Sequence, residues 1–290
     1  MGSNTSMSIS STGSFWCFRM NILPNVFLII FLFCGLRDCF AAPVPDQAVR
    51  IRVATYNVEF SSNTTPEQIG EMFIPYNLDL IGFNEVPDGD WTARVGNVLG
   101  MDHYYVGKIS SANHKDKYKS ILSRTPLEGT TEHELNAKRR RNWNPASAVR
   151  ALTTIKGLPI AFYSLHICAS GGNDGHAYQL ASEVLPKETV RRILIVGDFN
   201  NTIGDAAMNT IEAAGMRPTW KDLKIDLSSQ FTWNALDPRS NRGVIDHILY
   251  GTASHAKATD GAIIELAKPL SDHKPIWSEI LFPRNVKNDP

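Results

Sequence analysis

The stretch Ile193-Leu-Ile-Val-Gly-Asp-Phe-Asn200 constrains the fold more than any other part of the chain. Apolar, mostly β-branched residues run into Gly, Asp and Asn, and a turn signal follows at 201–204. Such a run reads as a buried strand. A buried strand that ends on Asp198 and Asn200 must find partners for both, because desolvating an unpaired carboxylate is costly. An Asx turn explains one such ending equally well. The pattern recurs, however. Ile51–Asn57 ends in Asn57, and Leu78–Glu85 ends in Glu85. Ile160–Ile167 carries His166, Val244–Tyr250 carries Asp246, and Asp272 and His273 lead into a last strand from Pro275 to Leu281. Each residue alone passes as a turn former, a satisfied core histidine or a loop cap. All of them together make sense only if the strand ends converge on one edge of packed sheets.

The segments between these strands set the class. Thr65-Pro-Glu-Gln68 starts a helix, with a Thr cap, Pro in the first turn and Gln three residues on, and it runs to about Phe73. A second helix covers Trp91–Leu99, and strands follow at Tyr104–Ile109 and Tyr118–Ser123 around a Lys-rich loop. Lys138–Trp143 lies in a long loop. Ala148–Ile155 and Ile160–Ile167 form a hairpin around Lys156-Gly-Leu-Pro159. After a Gly171–Gly175 loop come a helix over His176–Lys187, the 193–198 strand, a helix over Asp205–Ala214 stopped by Gly215, and a short strand at Gln230–Trp233. Strands outnumber helices; some are joined by tight turns and others by helices. This mixture predicts an α/β (α+β) fold of packed, mixed β-sheets flanked by helices.

The N-terminal forty or so residues differ from the rest. Val26–Cys34 is an apolar run preceded by Arg19 and followed by Cys39-Phe-Ala-Ala42. This predicts a secretory signal peptide over 1–41, with Met20 as an alternative start and cleavage after Ala41 or Ala42. The run is short for a membrane span, so an uncleaved anchor is the weaker reading. The expected location is therefore secreted, extracellular or periplasmic. Cys17, Cys34 and Cys39 fall in the leader, leaving Cys168, which reads as a small buried side chain rather than a thiol nucleophile. From 46 to 284 the chain reads as one domain. Hydrophobic residues make up 43% of the sequence, enough for a large core. Lys+Arg and Asp+Glu balance at 29 each, which excludes a strongly basic nucleic-acid-coating protein but not an enzyme with a local basic groove.

The polar residues divide into two sets. Glu85, Asp272 and Asn57 are hard oxygen donors of the kind Mg²⁺ or Mn²⁺ prefers. No Cys/His cluster offers a closed zinc site. An unperturbed imidazole titrates near neutral pH, so His273 and His166 are expected to act as general base and acid, with Asp246 able to orient His273. Carboxylates, one divalent metal and histidines together suit attack of water on a phosphate ester.

In chain order, Thr55-Tyr-Asn-Val58, Gly82-Phe-Asn-Glu-Val86, Ser164-Leu-His166, Gly197-Asp-Phe-Asn200, Ile245-Asp-His-Ile248 and Ser271-Asp-His-Lys-Pro-Ile276 resemble the endonuclease/exonuclease/phosphatase superfamily, the deoxyribonuclease I-like fold. That superfamily includes pancreatic-type deoxyribonuclease, apurinic endonucleases, neutral sphingomyelinases and inositol polyphosphate 5-phosphatases. The resemblance spans residues 50 to 282. It implies a four-layer sandwich, with two mixed sheets face to face and helices outside. It implies that Glu85 holds the metal with Asn57 and Asp272 close by, and that Asp198 and Asn200 position the water or the scissile phosphate. His273, paired with Asp246, would be the base, and His166 a phosphate ligand or acid. Arg150 and Asn57 would contact the substrate phosphate. Apurinic endonucleases lack a His at the position of His166, so the resemblance leans toward the deoxyribonuclease, sphingomyelinase and toxin-nuclease branches. The pancreatic-type enzymes pair that His with a carboxylate near position 118; Asp116 is the nearest candidate, one residue out of register.

A nucleic acid, DNA or RNA, is the first substrate candidate, because Lys138–Arg141 beside Trp143, with Lys115, Lys117 and Lys119, offers a basic groove with a stacking aromatic. The alternative for that run is a solvated loop. A lipid or small phosphodiester comes second and a phosphomonoester third. A catalytically silent binding module expects a broken catalytic position, and every position of the motif set is intact. No obligate protein partner is expected, and the domain should be a monomer.

Overall fold

A computed structural model describes residues 48–138, 141–168 and 175–284. The expected leader, its cleavage site, Arg139, Arg140 and most of the 171–175 loop lie outside the described residues.

In chain order the strands are β1 (Val49–Asn57), β2 (Leu80–Val86), β3 (His103–Val106), β4 (Tyr118–Ser123), β5 (Leu127–Leu135), β6 (Ala146–Ile155), β7 (Leu158–His166), β8 (Ile193–Asp198), β9 (Met216–Pro218), β10 (Asp246–Gly251), β11 (Lys257–Ile263) and β12 (Ile276–Phe282). The helices are α1 (Pro66–Phe73), α2 (Trp91–Leu99), α3 (His176–Gln179), α4 (Ala206–Ala213) and α5 (Trp220–Leu223). One six-stranded sheet has the order β11-β12-β1-β2-β4-β3, the other β5-β6-β7-β8-β10-β9. Each has a parallel pair at its centre, β1–β2 and β7–β8, with antiparallel neighbours outside.

Side-chain alternation along the strands builds the layers. Ile51 and Val53 of β1, Leu80 of β2, Phe162 of β7 and Val196 of β8 fill the space between the sheets. The opposite faces carry Ala54, Tyr56 and Phe83 under Ile69 and Phe73 of α1 and Trp91 and Val95 of α2. On the second sheet, Tyr163, Leu165 and Ile195 lie under Ala207, Met208 and Ile211 of α4. The result is the four-layer α/β sandwich that the sequence implies. At Gly82 the sheets pack too closely for a side chain: a Cβ there would sit 2.3 Å from Val196 Cγ2 and 2.9 Å from Ser164 Oγ. Thr65 and Gln68 close a reciprocal capping box on α1, a feature worth about 1 kcal/mol. No described helix is long and apolar enough to cross a membrane.

Several elements differ from expectation. β5 is an unforeseen strand: its Leu-Glu-Gly-Thr-Thr-Glu-His-Glu-Leu sequence lies at a sheet edge, mostly exposed, where no apolar alternation is required. The hairpin turn is tighter than expected, with only Lys156 and Gly157 between the strands, both at positive φ (50° and 84°). Residues 230–233 form no strand; Trp233 makes only isolated bridges to Gly243 and His273. Asp246 begins its strand rather than lying within it.

Candidate active site

The topology collects the polar strand ends. Asn57 closes β1, Asn84 and Glu85 lie near the end of β2, and His166 and Asp198 close β7 and β8. β10 runs antiparallel to β8, so its first residue, Asp246, lies opposite Asp198. β12 runs antiparallel to β1, so His273, three residues before Ile276, arrives at the same edge. Two of these side chains need special backbone. Glu85 has φ 53° at a bulge in the β2–β4 ladder, and Asn200 has φ 51° just past β8. Left-handed backbone in a residue with a Cβ costs on the order of 1–2 kcal/mol, and bulges commonly re-aim a side chain toward a site.

Asp198 is the centre. Its Oδ2 accepts from Asn57 Nδ2 at 3.1 Å and lies 3.4 Å from His166 Nε2 and 3.6 Å from His273 Nε2. Its Oδ1 accepts the Asn200 N–H at 2.8 Å. The Asp198 N–H donates to Asn84 Oδ1 at 2.9 Å, while Asn84 Nδ2 donates to the Leu165 carbonyl at 2.8 Å. Asn84 thus fastens the two sheets beneath the site. Asn84 lies inside the Gly82–Val86 motif, and an Asn within a buried strand is its sequence signal. Burial pushes the Asp198 carboxyl up to about 7, against the lowering effect of His273.

His273 Nδ1 lies 2.8 Å from Asp246 Oδ2. Burial disfavours the charged imidazole, but the carboxylates of Asp246 and Asp198 outweigh it and push the His273 pKa up to about 10. The two carboxylates thus favour the charged form of the His273 imidazole. His166 behaves oppositely: burial, together with Lys119 and Lys117, holds its pKa well below the usual value. Its Nε2 lies 3.2 Å from Asn200 Nδ2, which can only donate, so Nδ1 carries the proton. That Nδ1 has no hydrogen-bond partner among the described residues and lies 3.8 Å from Glu85 Oε1. Trp143 meets the His166 ring edge-on at 5.6 Å.

A carboxylate group adjoins this centre. Glu85 Oε1 pairs with Lys117 Nζ at 2.9 Å, and Asp272 Oδ2 accepts from Trp233 Nε1 at 2.9 Å. Glu59, absent from the sequence-derived set, joins them: its Oε2 accepts the Asp272 N–H at 3.2 Å, and its own N–H donates to Asn57 Oδ1 at 3.1 Å. Burial, then the nearby Asp272 and Glu85 carboxylates, pushes the Glu59 carboxyl up. Its position two residues after Asn57 was the sequence signal. Mutually repelling oxygen donors of this kind fit a hard divalent cation. Asp198, Asp246 and His273 also place ligand atoms within 4.8 Å of one another, close enough for an ion. Glu85, Asp272 and Glu59 are not gathered within that distance among the described residues; their all-oxygen donor chemistry alone points to a hard cation there.

Arg150 is not brought to the site. Along β6 it shares the outer, helix-covered face with Ala146 and Ala148, whereas His166 lies on the inter-sheet face with Phe162. Its guanidinium pairs with Glu188 through Nε and Nη2, each at 3.0 Å, and donates to the Gly129 carbonyl at 3.0 Å. Strand parity, invisible to a motif match, overturns the phosphate-contacting assignment. Among the expected basic residues, Lys115, Lys138 and Arg141 are exposed, whereas Lys119 is fully buried and donates to the Ile109 carbonyl at 2.6 Å. Asp116 is exposed; Glu85 and Asp198 are the carboxylates beside His166.

Residues 54–273 match the endonuclease/exonuclease/phosphatase family. The chain belongs to that family. Its members are hydrolases acting on phosphoesters, usually with divalent metals. No curated protein matches the sequence. Among solved structures, a family member from Beutenbergia cavernae superposes with TM-score 0.66 at 18% identity, covering 80% of this chain and 72% of that one. The mannosyl-6-phosphatase of Bacteroides thetaiotaomicron gives 0.63 at 17% identity, covering 80% and 100%. D. rerio TDP2 complexed with a single-strand DNA product gives 0.60 at 15% identity, covering 80% and 98%. At such identities these likenesses establish the fold alone.

Proposed function

We propose that this protein is a divalent-metal-dependent phosphoesterase that hydrolyses a phosphodiester, with a nucleic acid strand as its substrate class. The observation that carries the reading is the pairing of two shifted groups: a buried carboxyl raised toward neutrality, Asp198, beside an imidazole whose charged form Asp246 favours, His273. Groups whose environments drive their pKa values in chosen directions are the usual mark of acid–base assignments. Glu85, Asp272, Glu59 and Asn57 would hold Mg²⁺ or Mn²⁺, which when bound supplies charge stabilisation to the phosphoryl oxygens.

The chain's own residues divide the remaining work. His273 as an imidazolium cannot take a proton, so the base expected at His273 moves to Asp198, whose carboxylate accepts a proton from the attacking water. His273 instead donates through Nε2 to a phosphoryl oxygen, with Asp246 holding Nδ1 and the charge. Asn200 and Asn57 fix the Asp198 carboxylate from both sides. Neutral His166, with its proton on Nδ1, is a donor toward the phosphate.

Trp143 favours nucleic acid. It is half-buried beside His166, in the same turn as exposed Arg141, where a nucleobase next to the scissile phosphate would stack. A phosphomonoester or lipid phosphoester is the second reading, since the fold is shared with a sugar phosphatase. Trp143→Ala should raise KM for a single-stranded oligonucleotide about tenfold and leave hydrolysis of bis-(p-nitrophenyl) phosphate within twofold, given the stacking energy of about 1–3 kcal/mol per base. Equal effects on both substrates would remove the nucleic-acid reading. The proposal extends to a secreted monomer without an obligate partner: the mature N-terminus should begin near Ala42, which sequencing of the exported form checks.

A further inference from the structure

Lys117 stands where the metal reading places the divalent ion. Its Nζ lies 2.9 Å from Glu85 Oε1, with 16% and 10% of the two side chains exposed. The same ammonium sits over the Phe60 ring at 4.9 Å from its centroid. The Phe60 ring and the Glu85 carboxylate thus flank the lysine head.

The backbone behind it is fixed. The Lys117 N–H donates to Ser110 Oγ at 3.0 Å, and its carbonyl accepts the Ser111 N–H at 3.1 Å. Buried Lys119 ties the same turn from inside, donating to the Ile109 carbonyl at 2.6 Å and lying 3.4 Å from the Lys117 carbonyl. The ammonium is thus delivered to Glu85 by an anchored loop rather than by a freely rotating surface arm.

We infer that Lys117 is a tethered counter-cation of the Glu85 carboxylate group, which a divalent metal must displace in order to bind. An ammonium and a dication repel, and one carboxylate oxygen cannot give the same lone pair to an N–H at hydrogen-bond distance and to a Mg²⁺ at about 2.1 Å. The lysine therefore neutralises the group without metal and weakens its metal affinity. Loading then follows the ambient divalent-cation concentration instead of being permanent. Of the other lysines near the site, Lys119 spends its head on the Ile109 carbonyl and Ser111, so it does not duplicate the role.

The inference rests on the proposed metal site, and its test needs no substrate. Calorimetric titration with Mg²⁺, or Mn²⁺ binding followed by electron paramagnetic resonance, should give a Kd about five- to tenfold tighter for Lys117→Met than for the wild type, the effect of removing one nearby positive charge from a half-solvated site. Lys117→Arg keeps the cation and should retain the wild-type Kd. Equal or weaker binding by a folded Lys117→Met protein overturns the inference and leaves the metal reading intact. No binding by the wild type defeats the metal reading itself. If the Met variant does not fold, the wild type still decides. Saturating Mg²⁺ should expose the Lys117 ammonium to solvent, seen as loss of its slowly exchanging ¹⁵Nζ signal. An ammonium signal unmoved by bound metal refutes displacement.

Discussion

Replacing Arg150 with Met separates two roles that a motif match merges. In the structure the guanidinium has left the phosphate side of β6 altogether and makes two 3.0 Å contacts to Glu188, whose side chain is 1% exposed against 15% for Arg150. Burial alone would raise the Glu188 carboxyl, but Arg150, the Val190 N–H and the Tyr163 hydroxyl together hold it below its usual range. Removing one partner of such a pair strands a buried charge, at about 3–5 kcal/mol. Arg150 keeps some water contact, and Glu188 retains the Tyr163 hydroxyl at 2.7 Å, so the lower end, about 3 kcal/mol, applies. For a domain of this size that is a drop in Tm of about 6–12 °C. A thermal melt read beside kcat/KM on bis-(p-nitrophenyl) phosphate should show the full loss of stability with activity within about threefold at 20 °C. Glu188→Gln should give a similar melt, and the double variant should cost less than the sum of the two single changes. An unchanged Tm with kcat/KM down a hundredfold would refute the reasoning and return Arg150 to the substrate.

Asp246→Asn should lower kcat/KM at least about a hundredfold, because the amide cannot hold the His273 charge; a pH titration of the His273 imidazole by NMR should show its pKa falling from the raised value toward the ordinary one. Glu85→Gln should abolish the thermal stabilisation that excess Mg²⁺ gives the wild type, and a retained Tm shift would move the metal elsewhere. His247, fully buried with Nε2 at 2.8 Å from the Asn201 carbonyl, has its pKa pushed down to about 4 by burial. A lowered His pKa means the unfolded chain takes the proton first, so this contribution is present above about pH 6.5 and is lost as pH falls toward 4. Between pH 7 and 4.5 the wild type should therefore lose about 2–3 kcal/mol more stability than His247→Gln in paired urea titrations; parallel profiles would contradict this.

The fold was legible where burial writes a period into the chain. The 193–198 strand and the Trp91–Leu99 helix fall on their expected bounds, because apolar runs and punctuation coincide there. β5 was not legible, since an exposed edge strand of Thr and Glu carries no apolar stripe. The polar strand ends announced the site because a carboxylate after a β-branched run has few structural uses. What they could not give was direction. Arg150 and His166 lie on neighbouring strands of one sheet, yet strand parity sends one under the helices and the other between the sheets. Nor could residue type assign the base. His273 looked like one by its ordinary pKa, but the 2.8 Å contact to Asp246, with Asp198 close by, pushes that pKa up, which is why the proposed base is Asp198 instead. Glu59 and Lys117 joined the site through turns whose geometry no spacing encodes.

Nicking of supercoiled plasmid by residues 46–284 in Mg²⁺, measured beside Asp198→Asn, tests the central claim most directly. The account predicts metal-dependent nicking by the wild type and a loss of about a thousandfold or more in the variant, the scale at which removing a proton acceptor and an electrostatic anchor together acts. Full nicking by Asp198→Asn, with the fold intact by circular dichroism, would contradict it.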